Sequence, residues 1–165
     1  MSRKALPNVS GPWFCPDRKM LEKGIRESRN SLRRRMILPI HRKQDSKVQR
    51  MLNFLQPGTY IRPHLHPRPE AVESICLIQG EIRFFVFDDT GKEIFRTDLK
   101  RDSDRTLIDI EPLVWHTFVV TEPDTVLFET KMGPYDAMRD KEFAEWAPSE
   151  DDPGAAEWLN MLKES

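Results

Sequence analysis

The sequence predicts an all-β fold, a small antiparallel β-barrel or jelly roll, with an N-terminal helical arm and short C-terminal helices. Three observations predict it. From Lys47 to Met132 short apolar runs follow one another, broken by Pro57-Gly58, Gly80, Asp88-Asp-Thr-Gly91 and a polar loop at Lys100–Asp104. Many short strands parted by turn signals indicate a sandwich or barrel. One strand-like stretch alternates ionisable Tyr60, Arg62, His64 and His66 with Ile61, Pro63 and Leu65, as a strand lining a polar interior does. Lastly, 165 residues suit one domain with enough length to bury a core.

Taken in order, residues 1–32 form the arm, 33–135 the barrel and 136–165 the C-terminal helices, all within one domain. Residues 1–15 hold chain breakers, with Trp13 and Phe14 expected to dock them. Pro16 suits the first turn of a helix over 16–30, whose stripe is Met20, Leu21, Gly24 and Ile25. Met36, Leu38 and Ile40 alternate with Ile37 and Pro39, which reads as an edge strand from Arg33 to His41, since proline cannot donate to a ladder. His41, at a strand end, reads as structural or solvated. Strands are then expected at Val48–Gln56, Tyr60–His66, Glu73–Gln79, Glu81–Phe87, Lys92–Leu99, Thr106–Ile110, Thr117–Thr121 and Thr125–Met132. Gly91 supplies the positive φ of the Asp88–Gly91 hairpin turn. Beyond Met132 two helices are expected. Ala137–Trp146 has Phe143 and Trp146 at i, i+3. Asp152-Pro153 starts a second, with Ala155, Trp158, Leu159 and Leu162 on one face. That face needs a partner, either the barrel wall or a second subunit, and is compatible with a homodimer.

Net charge is −1, so no overall field draws the chain to nucleic acid or membrane. The charge is uneven: residues 1–50 hold 14 Lys/Arg against 4 Asp/Glu, and residues 136–165 hold 3 against 9. Arms of opposite sign either lie near each other or are solvated separately. Cys15 and Cys76 form no disulfide framework, and Cys76 reads as a buried core thiol. The basic N-terminus has no apolar stretch after it, and no run is long enough to cross a membrane; a cytoplasmic setting is the expectation. A nucleophile elbow, a phosphate-binding Gly-rich loop and CxxC are all missing, which disfavours serine-type and nucleotide-hydrolysing chemistry.

Chemistry concentrates in Gly58–Gly80. Residues i and i+2 of a strand share a face, so His64 and His66 can present two imidazoles to one point. With His116 and a carboxylate from elsewhere, they make a ligand set for Zn, Fe, Ni, Mn or Cu. The spacing of Gly58, His64 and His66, followed by Glu73 and Gly80, resembles the first motif of the cupin superfamily. Arg50-Met-Leu-Asn, Pro57-Gly-Thr-Tyr-Ile-Arg-Pro-His-Leu-His66, Val114-Trp-His116 and Phe128–Tyr135 look more specifically like the WbuC family of cupin-fold metalloproteins. The resemblance spans roughly Arg33 to Pro148. It implies a divalent metal (Zn, Fe, Ni or Mn) held by His64, His66, Glu73 and His116. Glu73 is preferred because it shares a face with Ile75 and Leu77; Glu70 is its rival. The glycine expected in the turn before His116 is replaced by Glu111-Pro112-Leu113-Val114, which alters how that histidine is aimed.

Tyr60 and Arg62, sharing the histidine face, are expected to orient an oxygen-rich or anionic ligand. Trp115 reads as core, and Glu129 as a partner of the ligands or an ion pair rather than a ligand. The family's genetic context implies a metal-dependent enzyme acting on a small molecule, a sugar or sugar nucleotide of surface-polysaccharide metabolism, by isomerisation or epimerisation. The alternatives are a ligand-binding or sensing cupin without turnover, an iron-dependent dioxygenase, and a metal-free epimerase with Tyr60 as acid.

Overall fold

The structure is a computed structural model that describes residues 4–164. In chain order its elements are α1 (Arg18–Asn30), β1 (Arg35–Pro39), β2 (Val48–Leu55), β3 (His64–Leu65), β4 (Glu73–Gln79), β5 (Glu81–Phe87), β6 (Glu93–Lys100), β7 (Leu107–Ile110), β8 (Trp115–Val120), β9 (Thr125–Met132), β10 (Glu142–Phe143) and α2 (Ala155–Glu164). Two five-stranded sheets, ordered β1-β2-β9-β4-β7 and β10-β3-β8-β5-β6, face each other as a jelly-roll-like sandwich. All pairings between these strands are antiparallel.

Strand alternation builds four layers. Ile75, Leu77, Leu127 and Leu55 of the first sheet meet Ile82, Phe84, Phe118 and Val120 of the second in the space between them. The outward residues Met36, Leu38, Leu52, Phe54 and Val126 of the first sheet are covered by Met20, Leu21 and Ile25 of α1. Phe85, Phe87 and Val119 of the second are covered by Ala155, Leu159 and Leu162 of α2. Asp17 caps α1, accepting from Met20 N at 2.8 Å. Gly24 lets the helix close on the Phe54 ring, which a Cβ would strike. Gly80 takes φ +78 between β4 and β5, and a Cβ there would stand 2.8 Å from Thr125 Cα.

Several expectations change. The segment 56–63 is not a strand, because it carries the chain from the first sheet to the second. Its groups bond singly to other parts of the chain rather than in a ladder: Gln56 N and Thr59 Oγ1 donate to Arg34 O, and Ile61 O accepts from Thr117 Oγ1. Residues 137–146 form no helix; β10 pairs there with β3, and Ala144 N donates to Pro63 O at 2.9 Å. Tertiary pairing thus overrides the i, i+3 spacing of Phe143 and Trp146. Cys76 lies on the outward face of β4 and is half-buried. Trp13 is 81% exposed, whereas Leu6 is buried and its N–H donates to Ile37 O. The apolar face of α2 is covered by its own sheet. The oppositely charged arms do meet, through Arg33 and Arg35 on Glu150. Among the described residues no helix is long and apolar enough to cross a membrane.

Candidate metal centre

His64 on β3 stands directly opposite His116 on β8, so both imidazoles project from one face of the second sheet. Glu73 enters from the first sheet, at the start of β4. The nitrogen and oxygen donors of His64, His66, Glu73 and His116 lie within 4.8 Å of one another, and each residue is 2–4% exposed. Glu70, the rival carboxylate, is exposed in the preceding turn.

Each imidazole is held through Nδ1 by a main-chain carbonyl: His64 by Arg62 O at 3.0 Å, His66 by Asp140 O at 2.6 Å, His116 by Val114 O at 2.8 Å. A carbonyl only accepts, so each Nδ1 carries the proton and each Nε2 is left as a lone pair. The three lone pairs converge with a carboxylate. Glu73 Oε2 lies 3.0 Å from His66 Nε2 and 3.1 Å from His116 Nε2. Among the described residues His64 Nε2 is buried without a hydrogen-bond partner. Acceptors gathered so closely are stable only with a cation or protons among them. A divalent metal with an affinity for nitrogen and oxygen fits this donor set.

Burial, then the charges of Lys141 and His116, push the His64 imidazole well below its ordinary value and keep it neutral. With no metal among the donors, burial works to raise the Glu73 carboxyl, but protons held between it and the Nε2 atoms of His116 and His66, in the place a metal would take, outweigh burial and hold Glu73 well below the carboxylate range. Glu129 lies behind Glu73, accepting from Asn53 Nδ2 at 2.9 Å. Burial, and then the charge of Glu73, push its carboxyl up to about 8. Lys131 faces Glu73 across the β4–β9 pairing and binds Asp140 at 2.5 Å. Phe84 stacks on His116 with centroids 5.7 Å apart, and Phe143 stands 6.2 Å from the His64 ring.

The structure does not bring Tyr60 to this cluster. The segment before β3 is irregular, so the parity with His64 fails, and Tyr60 turns to the outer layer under α2. It packs edge-on against Trp158, and its hydroxyl donates to Pro148 O at 2.7 Å. Burial pushes that hydroxyl up to about 12. Arg62 stays nearer. Its Nε donates to Ala144 O, and its guanidinium lies 6.0 Å from the Phe143 ring. His41 is remote from the cluster, held through Nδ1 by the Arg50 main chain. Leu113 adopts φ 66 in the turn where a glycine was expected, and its N–H donates to His66 O. Sequence reasoning missed Lys131, Asp140, Lys141 and Phe143. Three of these sit in the stretch read as the helix Ala137–Trp146, in which Phe143 was placed on a face with Trp146, and only the Asp140-Lys141 charge pair beside Phe143 hinted at more.

A family model described as a domain of unknown function (DUF6016) matches residues 16–99, which include His64, His66 and Glu73. No curated protein matches the chain by sequence. Among solved structures, CapF with the inhibitor 3-isopropenyl-tropolone is similar at TM-score 0.55 and 16% identity, over 66% of this chain and 31% of that one. Oxalate decarboxylase from Bacillus subtilis is similar at TM-score 0.50 and 14% identity, over 66% of this chain and 27% of that one. KdgF from a Halomonas species is similar at TM-score 0.50 and 16% identity, over 63% of this chain and 84% of that one. The chain thus spans about a quarter to a third of the first two. At these identities the likeness speaks to fold, and the fold is the cupin fold, with a buried His/Glu group that fits a metal-binding cupin.

Proposed function

This chain belongs to the DUF6016 family, a domain of unknown function, and from its site we propose a divalent-metal-dependent cupin enzyme acting on a small molecule. One observation carries the reading. Three imidazoles whose protons point at main-chain carbonyls turn their lone pairs onto one carboxylate. His64, His66, Glu73 and His116 are the proposed ligands. A metal bound there would supply Lewis acidity or lower the pKa of a bound water. The chain's own residues hold the four donors neutral or anionic as required, with Phe84 stacked on His116 and Phe143 beside the His64 ring. Arg62 keeps the proposed role of orienting an anionic ligand, since its Nε alone is tied to Ala144 O. For Tyr60 a role as acid would require it to leave Pro148 O and the layer under α2, so the metal-free epimerase loses its proton donor. The WbuC-like motifs support a sugar or sugar nucleotide as substrate, with isomerase-like chemistry.

A second reading is favoured by burial. Four donors that are 2–4% exposed suit a cation that anchors a ligand, or the fold itself, without turnover. Metal content by plasma mass spectrometry on untagged protein, with His64→Ala and His116→Ala alongside, tests both. Near-stoichiometric metal, lost in both variants, is expected. Protein that stays empty after metal is added back sinks the metal reading.

A further inference from the structure

Lys141 is used by neither the donor set nor its anchors. β10 pairs Glu142 with Leu65 and Phe143 with His64, and Phe143 turns its ring toward His64. Lys141 lies between Glu142, which pairs with Leu65, and Asp140, whose carbonyl accepts from His66 Nδ1, so its main chain runs beside His66. The Lys141 charge acts on His64, Glu73 and Glu129 alike. Its chain neighbour Asp140 is taken by Lys131 at 2.5 Å. Glu73, Glu129 and Asp140 act on the Lys141 ammonium through space, but among the described residues it closes no ion pair or hydrogen bond with any of them. A half-buried ammonium with no contact anion keeps its donors available to a ligand.

The charge balance points the same way. A divalent cation on three neutral imidazoles and Glu73 leaves positive charge, and Lys131 is balanced by Asp140. Lys141 keeps the group net positive even with Glu129 ionised. Building on the metal-centre reading, we infer that Lys141 completes a binding site for a small oxyanion, a carboxylate or a phosphate, held between the metal and the Lys141 ammonium. The four ligands are buried, whereas Lys141 is half-buried and Phe143 is 47% exposed. A ligand arriving from solvent therefore meets this pair first. The ammonium is a compact charge on a flexible stem, suited to one oxygen of the anion while another reaches the metal.

The test uses the full chain loaded with zinc and titrated calorimetrically with acetate and, separately, inorganic phosphate. A cobalt-loaded sample is followed by visible absorption, and metal content is measured first on every sample. Wild-type protein is expected to bind at least one anion with a change in the cobalt spectrum. K141M is expected to weaken that binding about tenfold or more at unchanged metal content, and K141R to retain it within about threefold. Preference between the two anions separates a carboxylate ligand from a phosphate one. Equal binding by wild type and K141M, or no binding of either anion to metal-loaded wild type, overturns the inference and leaves the metal centre standing. Loss of metal from both variants also overturns it, by assigning Lys141 to metal retention. Wild-type protein that takes up no metal removes both readings.

Discussion

The space between the two sheets has two ends, built by the same strands. Along β4 the inward residues run from Glu73 to Ile75 and Leu77; along β8 they run from His116 to Phe118 and Val120; along β9 they run from Lys131 and Glu129 to Leu127. One end is closed by Leu55, Leu77, Ile82, Val120 and Leu127. The other collects three histidines, two glutamates and a lysine. The apolar end gains free energy from burial, roughly 25 cal/mol per Å² of apolar surface. The polar end costs desolvation and stands only because its charges and lone pairs have partners or await one. Stability and binding are therefore assigned to opposite ends of one core, and substitutions should separate them.

The largest effect is expected at the apolar end. Leu127→Ala removes a fully buried side chain and should cost about 2–5 kcal/mol in urea unfolding, with metal stoichiometry unchanged. Next comes the polar end. Glu73→Gln should weaken metal affinity by roughly 100-fold or more, about 2.7 kcal/mol, as read by competition with a chelator. Its unfolding midpoint without metal should move less than that of Leu127→Ala. If both variants lose metal and stability together, the division between the two ends fails.

A third prediction concerns pH in metal-free protein. Glu129 is pushed up to about 8 from an ordinary 4.5, by burial and by Glu73. The folded state therefore holds a proton that the unfolded state releases. This contribution is complete below the ordinary value and is lost as pH rises through about 8. Thermal midpoints measured from about pH 5 to about pH 9 should fall more steeply in wild type than in Glu129→Gln; parallel curves would refute it. The smallest effect is expected at the turn that aims His116. Leu113 holds φ 66 while 64% exposed, a conformation that costs a bulky residue roughly 1–2 kcal/mol. Leu113→Gly relieves that strain and loosens the unfolded chain, so a change within about 1 kcal/mol is expected. A larger loss would show that the Leu113 side chain itself supports the turn.

Much of this was legible in residue order. Short apolar runs between turn signals located β4, β5 and β9 at their full bounds, because each buries one face or both. The apolar stripe of α1 and the apolar face of α2 were equally local, although Pro16, read into the first turn of α1, lies one residue before its cap Asp17. Parity failed where the chain changed sheets. Tyr60 shares a spacing with His64, but eight residues, 56–63, cross between layers, and a crossing segment has no pleat to preserve parity. The tail failed for another reason. Phe143 and Trp146 are spaced for a helix, yet one packs beside His64 and the other against Phe87. That choice is made by the unpaired edge of β3, which no local pattern encodes. Lys141 was hidden with it.

The hydrogen bonds from the histidines end on the carbonyls of Arg62, Val114 and Asp140. The aim of the three imidazoles is thus written in the route of the chain rather than in the identity of any neighbouring side chain. Substituting residue 62, 114 or 140 leaves each carbonyl in place, whereas an insertion or deletion beside it turns an imidazole away. Relatives of this protein can therefore change every one of those three residues and still inherit the same donor geometry, provided that their loops keep their lengths.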